Sequence, residues 1–187
     1  MGTIYLAGGC FWGLQKFFDQ FGGVIRTEVG YANGPDKAPS YQEVCRNSGH
    51  AETVRVDYND EVMNLEELLD YYFMVIDPLS VNKQGNDIGI QYRTGIYYTD
   101  DGQFPAIRKV YERQQAEVGS PLRLLSSRSG ISSQLRSITR NIWIRIPAGT
   151  AIFRDPTFPL QINKKTGFTN DVKPVNKAYL FLRTLLK

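Results

Sequence analysis

The chain has 187 residues, enough for one domain with its own core, and 42% hydrophobic with 22% charged residues is the mix of an ordinary globular protein. A formal net charge of +3 is too small to argue for a nucleic-acid partner. No apolar run approaches the ~18 residues that a membrane span needs. The opening Met1-Gly2-Thr3-Ile4-Tyr5-Leu6 has no charged stretch ahead of an apolar one, so it reads as a strand rather than a secretion signal. Two cysteines make no disulfide framework, and the expected compartment is the reducing cytoplasm.

Thr3 to Ala7 reads as the first strand, broken by Gly8-Gly9. Phe11, Leu14, Phe17, Phe18 and Phe21 follow the spacing of a helix, which Gly22-Gly23 ends. Val24 to Tyr31 reads as a strand and Ala32 to Ser40 as a Gly/Pro loop. Glu52 to Tyr58 alternates as a strand, and Leu65, Leu68, Leu69, Tyr72 and Val75 give a helix from Leu65 to Ile76. Asp77-Pro78 stops that helix. Thr94 to Thr99 reads as a further strand and Phe104 to Val118 as a polar-faced helix. The order strand, helix, strand, strand, helix, strand, helix predicts an α+β fold, a ferredoxin-like plait with helices packed on an antiparallel-rich sheet.

Cys10 follows a strand and a Gly-Gly turn and opens a helix. The first N–H groups of a helix lack internal partners and carry partial positive charge, which favours a thiolate, the reactive form of cysteine. Phe11 and Trp12 put aromatic surface beside the sulfur, suited to a substrate with a small methyl group. The residues alone leave a second reading open, a buried cysteine packed as a small hydrophobe.

Gly8-Gly9-Cys10-Phe11-Trp12-Gly13 resembles the signature of the peptide methionine-sulfoxide reductase A family. Gly30-Tyr31-Ala32-Asn33-Gly34, Pro39-Ser40-Tyr41, Gly49-His50-Ala51-Glu52-Thr53, Asp77-Pro78, Asn82-Lys83-Gln84-Gly85-Asn86-Asp87, Gln91-Tyr92-Arg93 and Tyr97-Tyr98-Thr99 follow in the family's order. The similarity spans about residues 3–122. It implies thiol-dependent reduction of methionine S-sulfoxide, free or peptide-bound, through a cysteine sulfenic acid, a protein-repair reaction against oxidative stress. It implies Cys10 as nucleophile and Glu52 as the acid. Phe11 and Trp12 are the implied wall for the methyl group, and Tyr41, Asp87 and Tyr92 the polar residues around the substrate oxygen. No cofactor or metal is implied, only an external thioredoxin-like thiol reductant, and the partners are oxidised proteins or small sulfoxides rather than nucleic acid or membrane. The stretch Cys45 to Gly49 looks one residue shorter than in many relatives.

The chemistry gives each residue type a reason. A sulfoxide is a poor electrophile until its oxygen is protonated, so attack on its sulfur needs a proton donor close by. A carboxyl group half buried among tyrosines has its neutral form favoured, which suits Glu52. Tyr41 and Tyr92 can donate to the charge that develops on oxygen. Plainer readings stand beside these: Glu52 as a solvated strand residue, Tyr41 and Tyr92 as packing members of a set of 11 tyrosines, and Asp87 as a turn former. The single histidine, His50, sits beside a glycine turn and reads as structural, and nothing has the spacing of a zinc site.

Residues 1–122 therefore form the expected catalytic domain, and 123–187 an atypical, irregular tail. Serines crowd the run Leu122 to Gln134, arginines continue through Arg136, Arg140, Arg145 and Arg154, and no acid falls between Val118 and Arg154. Members of the resembled family end in a His-Gln-x-Tyr stretch and a Gly-Tyr-Cys that brings a resolving cysteine, and neither occurs here. The residues from Arg123 to about Phe153 read as translation in a shifted frame. Joining the third base of each codon to the first two of the next, permitted codons from Ile138 to Phe153 spell HQEYLDKNPGGYCHI, and from Gly130 the same frame spells NFFPAEEH ahead of it. In the chain as it stands, Cys45 is the candidate resolving thiol, with a structural role as its alternative. Two other functions compete: an inactive or truncated relative that binds oxidised methionine without turnover, and an RNA-binding plait, suggested by aromatics on the sheet and the positive charge, which lacks the Arg/Lys-Gly-Phe-type strand motif it would need.

Overall fold

The computed structural model describes residues 1–34 and 39–124, together with the backbone of 144 and 145. The irregular tail and nearly all of the shifted-frame reading fall outside the described residues.

Strand β1 (Gly2–Ala7) leads through Gly8-Gly9 into helix α1 (Phe11–Phe18), which ends at Asp19, earlier than the apolar spacing suggests. Strand β2 (Val24–Ala32) is followed by a short helix α2 (Tyr41–Cys45), then strand β3 (Ala51–Tyr58) and helix α3 (Leu65–Val75). Two-residue strands β4 (Lys83–Gln84) and β5 (Asp87–Ile88) form a hairpin around Gly85-Asn86, where Gly85 takes φ +56°. A 3-10 turn at Ile90–Tyr92, strand β6 (Gly95–Tyr97) and helix α4 (Phe104–Val118) follow, and β7 (Ile144–Arg145) pairs with β2. The main sheet has the order β6-β1-β3-β2-β7, with antiparallel neighbours throughout. The expected mixture of helices and an antiparallel sheet is therefore present.

The period of two along the strands decides which face carries the core. Ile4 and Leu6 stand opposite Val56 and Val54, and Val29 opposite Val54, on the face that buries Phe11, Leu14, Phe17 and Phe18 of α1 with Leu68, Leu69, Tyr72 and Phe73 of α3. The intervening residues form the other face. There Asp57 accepts from the Thr3 hydroxyl at 2.7 Å and pairs with Arg55 and Arg26 at 3.0 and 3.4 Å. Glu52 belongs by register to the same face as Val54 and Val56, near the start of β3 opposite the buried Tyr31.

Helix α3 is capped by Asn64, whose side chain accepts from the Glu67 N–H at 3.0 Å, and it reaches the sheet through the Tyr72 hydroxyl. The fully buried Tyr72 hydroxyl donates to the Ala7 carbonyl at 2.7 Å and accepts from the Gly95 N–H at 3.3 Å, tying α3 to the ends of β1 and β6 just before the Gly8-Gly9 turn. Tyr72→Phe leaves those backbone groups a poorer set of partners. It is expected to cost about 1–3 kcal/mol in urea unfolding, with the ring packing intact.

Candidate functional site

The turn between β1 and α1 allows little variation. Gly9 holds φ +80°, and a Cβ there would come within 2.9 Å of Gln84 Cβ; at Gly8 it would come within 2.6 Å of Ile76 Cγ2. The Gly9 N–H donates to the Tyr92 carbonyl at 3.2 Å, which fixes the 3-10 turn against the start of α1. The β4–β5 hairpin packs on Gly9 from another side. Gln84 accepts from the Asp77 N–H at 2.8 Å and donates to the Asp77 carbonyl at 3.0 Å, so the Asp77-Pro78 helix stop also holds the hairpin that carries Asp87. Asp87 accepts a hydrogen bond from the Cys10 N–H.

Cys10 is the N-cap of α1, with extended φ and ψ of −64° and 119° and a half-buried, free thiol. Glu52, 4% exposed, accepts from the Phe11 N–H at Oε2, 3.1 Å. Burial pushes its carboxyl up to about 7, opposed by that hydrogen bond and assisted by the charge of Asp87. A solvated strand residue is thereby excluded. Asp87 is itself raised by burial against the pull of the Cys10 N–H. Tyr92 is pushed up to about 12 by burial and by the charges of Glu52, Asp87, Cys10 and Tyr41.

The thiol departs from expectation. The N–H groups of Trp12 and Gly13 do favour its thiolate, as the helix start requires, but burial and the charge of Glu52 outweigh them, with Asp87 adding to the effect. The Cys10 thiol therefore lies above its ordinary range in the free protein, and the expectation of an acidic thiol is corrected. Burial of the sulfur, reinforced by two carboxylates, wins over two backbone dipoles.

Phe11 is buried and meets Trp12 edge-to-face, with ring centroids 5.3 Å apart at 75°, while Trp12 is partly exposed. Tyr41 opens α2 and is 42% exposed. Its phenol is raised first by a hydrogen bond with the Cys45 thiol, then by burial and by the charges of Cys45, Glu52 and Cys10. Cys10, Glu52, Tyr41, Asp87 and Tyr92 thus stand within electrostatic reach of one another, and Cys45 borders them through Tyr41. His50 is buried, with Nδ1 3.0 Å from the Ser48 hydroxyl, and the charges acting on Cys10 are those of Glu52 and Asp87.

Three features were not read from the sequence. Helix α2 is missing from the sequence reading, although Ser40-Tyr41-Gln42-Glu43 is a capping box: the Glu43 N–H donates to Ser40 Oγ at 3.3 Å and the Ser40 N–H to Glu43 Oε2 at 2.7 Å. Arg93 is the second. Its guanidinium donates to the carbonyls of Ile90, Asn33 and Gly49 at 2.9, 2.6 and 3.1 Å, joining the Tyr92 turn to the ends of β2 and β3. The third is Tyr31, which stands opposite Glu52 in the β2–β3 ladder with its ring centroid 5.8 Å from that of Phe11.

Among the described residues no group of three or more His, Cys, Asp and Glu stands together as a metal ligand set would, and no helix is long and apolar enough to cross a membrane.

Comparison with known proteins converges on one family. Residues 2–123 match the family model of peptide methionine sulfoxide reductase. The chain is 53% identical over 121 residues to the peptide methionine sulfoxide reductase MsrA of Lachnoclostridium phytofermentans, covering 64% of this chain and 73% of that one. It is 46% identical over 123 residues to MsrA of Clostridium botulinum, covering 65% and 78%. Among solved structures, reduced Mxr1 from Saccharomyces cerevisiae aligns with a TM-score of 0.60 at 35% identity, over 64% of this chain and 71% of that one. Methionine sulfoxide reductase A of Corynebacterium diphtheriae aligns with a TM-score of 0.59 at 34% identity, over 65% and 61%. With the matched segment containing the whole β1–α1 turn, Glu52 and the Asp87–Tyr92 stretch, the chain belongs to the peptide methionine sulfoxide reductase family.

Proposed function

We propose that the chain reduces methionine S-sulfoxide, free or within oxidised proteins, to methionine, with an external thioredoxin-like thiol as the final reductant. The observation that carries this reading is a buried carboxylic acid raised to about 7, held by the Phe11 N–H immediately beyond Cys10. Near neutral pH Glu52 carries its proton much of the time and can pass it to a sulfoxide oxygen. Phe11 and Trp12 form the wall for the methyl group, and Tyr41, Tyr92 and Asp87 surround the oxygen.

In the reaction the Cys10 sulfur attacks the sulfoxide sulfur while Glu52 protonates the oxygen. The S–S bond so formed is transient: the resulting hydroxyl passes to the Cys10 sulfur as the substrate S–O bond and the S–S bond break, methionine leaves, Cys10 is left as sulfenic acid, and the proton from the thiol replaces the one Glu52 gave. Thiol plus sulfoxide gives sulfenic acid plus thioether, with the sulfoxide sulfur reduced and the cysteine sulfur oxidised. The two proton positions assist each other. A neutral Glu52 removes one of the charges that raise the thiol, so the state that activates the sulfoxide also eases thiolate formation.

Recycling of the sulfenic acid falls to an external thiol, or to Cys45, the second of two cysteines in the sequence. Condensation of Cys45 with the sulfenic acid would release water and leave a disulfide, which a dithiol then reduces. A chain that works through free thiols suits a reducing cytoplasm. The split connectivity strand–helix–strand–strand–helix–strand, with the last strand beside the first, supports the ferredoxin-like plait as the description of the fold. The family match ends at residue 123, where serine and arginine begin to crowd, which supports the division into 1–122 and 123–187 and the shifted-frame reading of the tail. Sequencing the gene tests the latter: codons incompatible with HQEYLDKNPGGYCHI between Ile138 and Phe153 would end it.

The direct test of function adds one equivalent of methionine S-sulfoxide to reduced protein. Stoichiometric methionine is expected from the S epimer and not the R epimer. Mass spectrometry should then find either one added oxygen on Cys10 or a Cys10–Cys45 link. Binding without methionine release would leave a sulfoxide-binding protein instead.

A further inference from the structure

Beside the residues given roles above lies a polar group without one, the hydroxyl of Tyr31. Tyr31 is 2% exposed, and its Oη has no hydrogen-bond partner among the described residues. Leaving a buried hydroxyl unpaired costs about 1–3 kcal/mol, so its retention calls for a reason. The placement supplies one. Tyr31 and Glu52 are directly paired across β2 and β3, so their side chains rise from the same face of the sheet. The ring leans on Phe11 at an interplanar angle of 35°. Around it stand Glu52 of β3, Tyr41 and Cys45 of α2 and Tyr92 of the 3-10 turn, whose charges add to burial in raising the phenol far above its ordinary range. Tyr31 therefore keeps its proton under all working conditions and can act only through hydrogen bonding.

Building on the sulfoxide-reductase reading, we propose that Tyr31 is a catalytic residue whose hydroxyl donates a hydrogen bond to the sulfoxide oxygen beside Glu52. The donor is already desolvated and has no partner to give up. An arriving oxygen gives up its own water, but no bond to the phenol has to be broken first. As the Cys10 sulfur attacks, negative charge grows on that oxygen, so the bond is stronger in the transition state than in the bound substrate. No proton or electron leaves Tyr31 in any step.

Tyr31→Phe in the full chain removes the hydroxyl and keeps the ring against Phe11. At saturating methionine S-sulfoxide the single-turnover rate should fall about 10- to 100-fold. The urea midpoint should stay level or rise, because an unpaired buried hydroxyl has been deleted, and the rate at which iodoacetamide labels Cys10 should be unchanged. An unchanged turnover rate in Tyr31→Phe, or a lower rate accompanied by a lower urea midpoint, would overturn the proposal, since either result fits a purely structural hydroxyl. Wild-type protein that releases no methionine removes the sulfoxide-reductase reading and this role with it. An active wild type matched by Tyr31→Phe removes the role alone.

Discussion

Cys10→Ser is expected to release no methionine from methionine S-sulfoxide in a single turnover, a loss of at least about 10⁴-fold against the wild type. The reaction stores the transferred oxygen on sulfur, and a serine hydroxyl can neither attack a sulfoxide at useful rates nor become the corresponding oxidised species. The fold gives this variant an unusually clean control. Cys10 occupies the N-cap of α1 but makes no side-chain cap hydrogen bond. Serine is among the preferred N-caps and accepts from the free N–H groups of the first turn, an exchange worth about 0.5–2 kcal/mol in favour of the helix. The Asp87 contact uses the backbone N–H of residue 10 and survives. Inactivity together with an equal or higher urea midpoint therefore assigns the loss to the missing sulfur. Residual methionine release at more than about a hundredth of the wild-type rate would move the nucleophile elsewhere, and Cys45 is the only other sulfhydryl in the sequence.

Strand and helix positions through residue 118 were legible because the sheet and the helices each show one apolar face, so the period of two and the three-four spacing both survive in the sequence. What failed was local or electrostatic. Helix α2 has only five residues, too few for a periodic signal, and its capping box was the sole clue. The β4–β5 hairpin is held by the Gln84–Asp77 bonds and by contact with Gly9, which no local pattern encodes. Alternation in Glu52-Thr53-Val54-Arg55-Val56 placed the acid on the same face as two buried valines, a readable sign that this carboxylate is buried. Tyr31 had the same sign beside Val29, yet its unpaired hydroxyl depends on what surrounds it in three dimensions. The sign of the Cys10 shift could not be had from the helix start alone, because two N–H groups are opposed first by burial of the sulfur and then by charges on β3 and β5, all brought together by folding.

Glu52→Gln is expected to lower the single-turnover rate by about 100-fold or more, the usual scale for a general acid. Glutamine keeps the shape and can accept the Phe11 N–H, so the loss measures the proton. Two opposite-going measurements identify that cause. At pH 8 the wild-type carboxyl, with its value near 7, is largely charged and holds the thiol up; glutamine removes that charge, so iodoacetamide should label Cys10 faster in the variant while sulfoxide reduction is slower. Stability supplies the second. Glu52 rises from an ordinary 4.5 to about 7 on folding, so between those values the folded state holds a proton that the unfolded state has lost. The favourable contribution is complete below 4.5 and disappears as pH climbs through about 7, a change of about 3 kcal/mol. Glutamine does not titrate. In urea unfolding, the stability of Glu52→Gln relative to wild type should therefore grow by about that amount between acid and pH 8. A gap that stays constant across this range would mean the carboxyl is solvated and unshifted, and the proton donor of the reaction would have to be sought among the tyrosines.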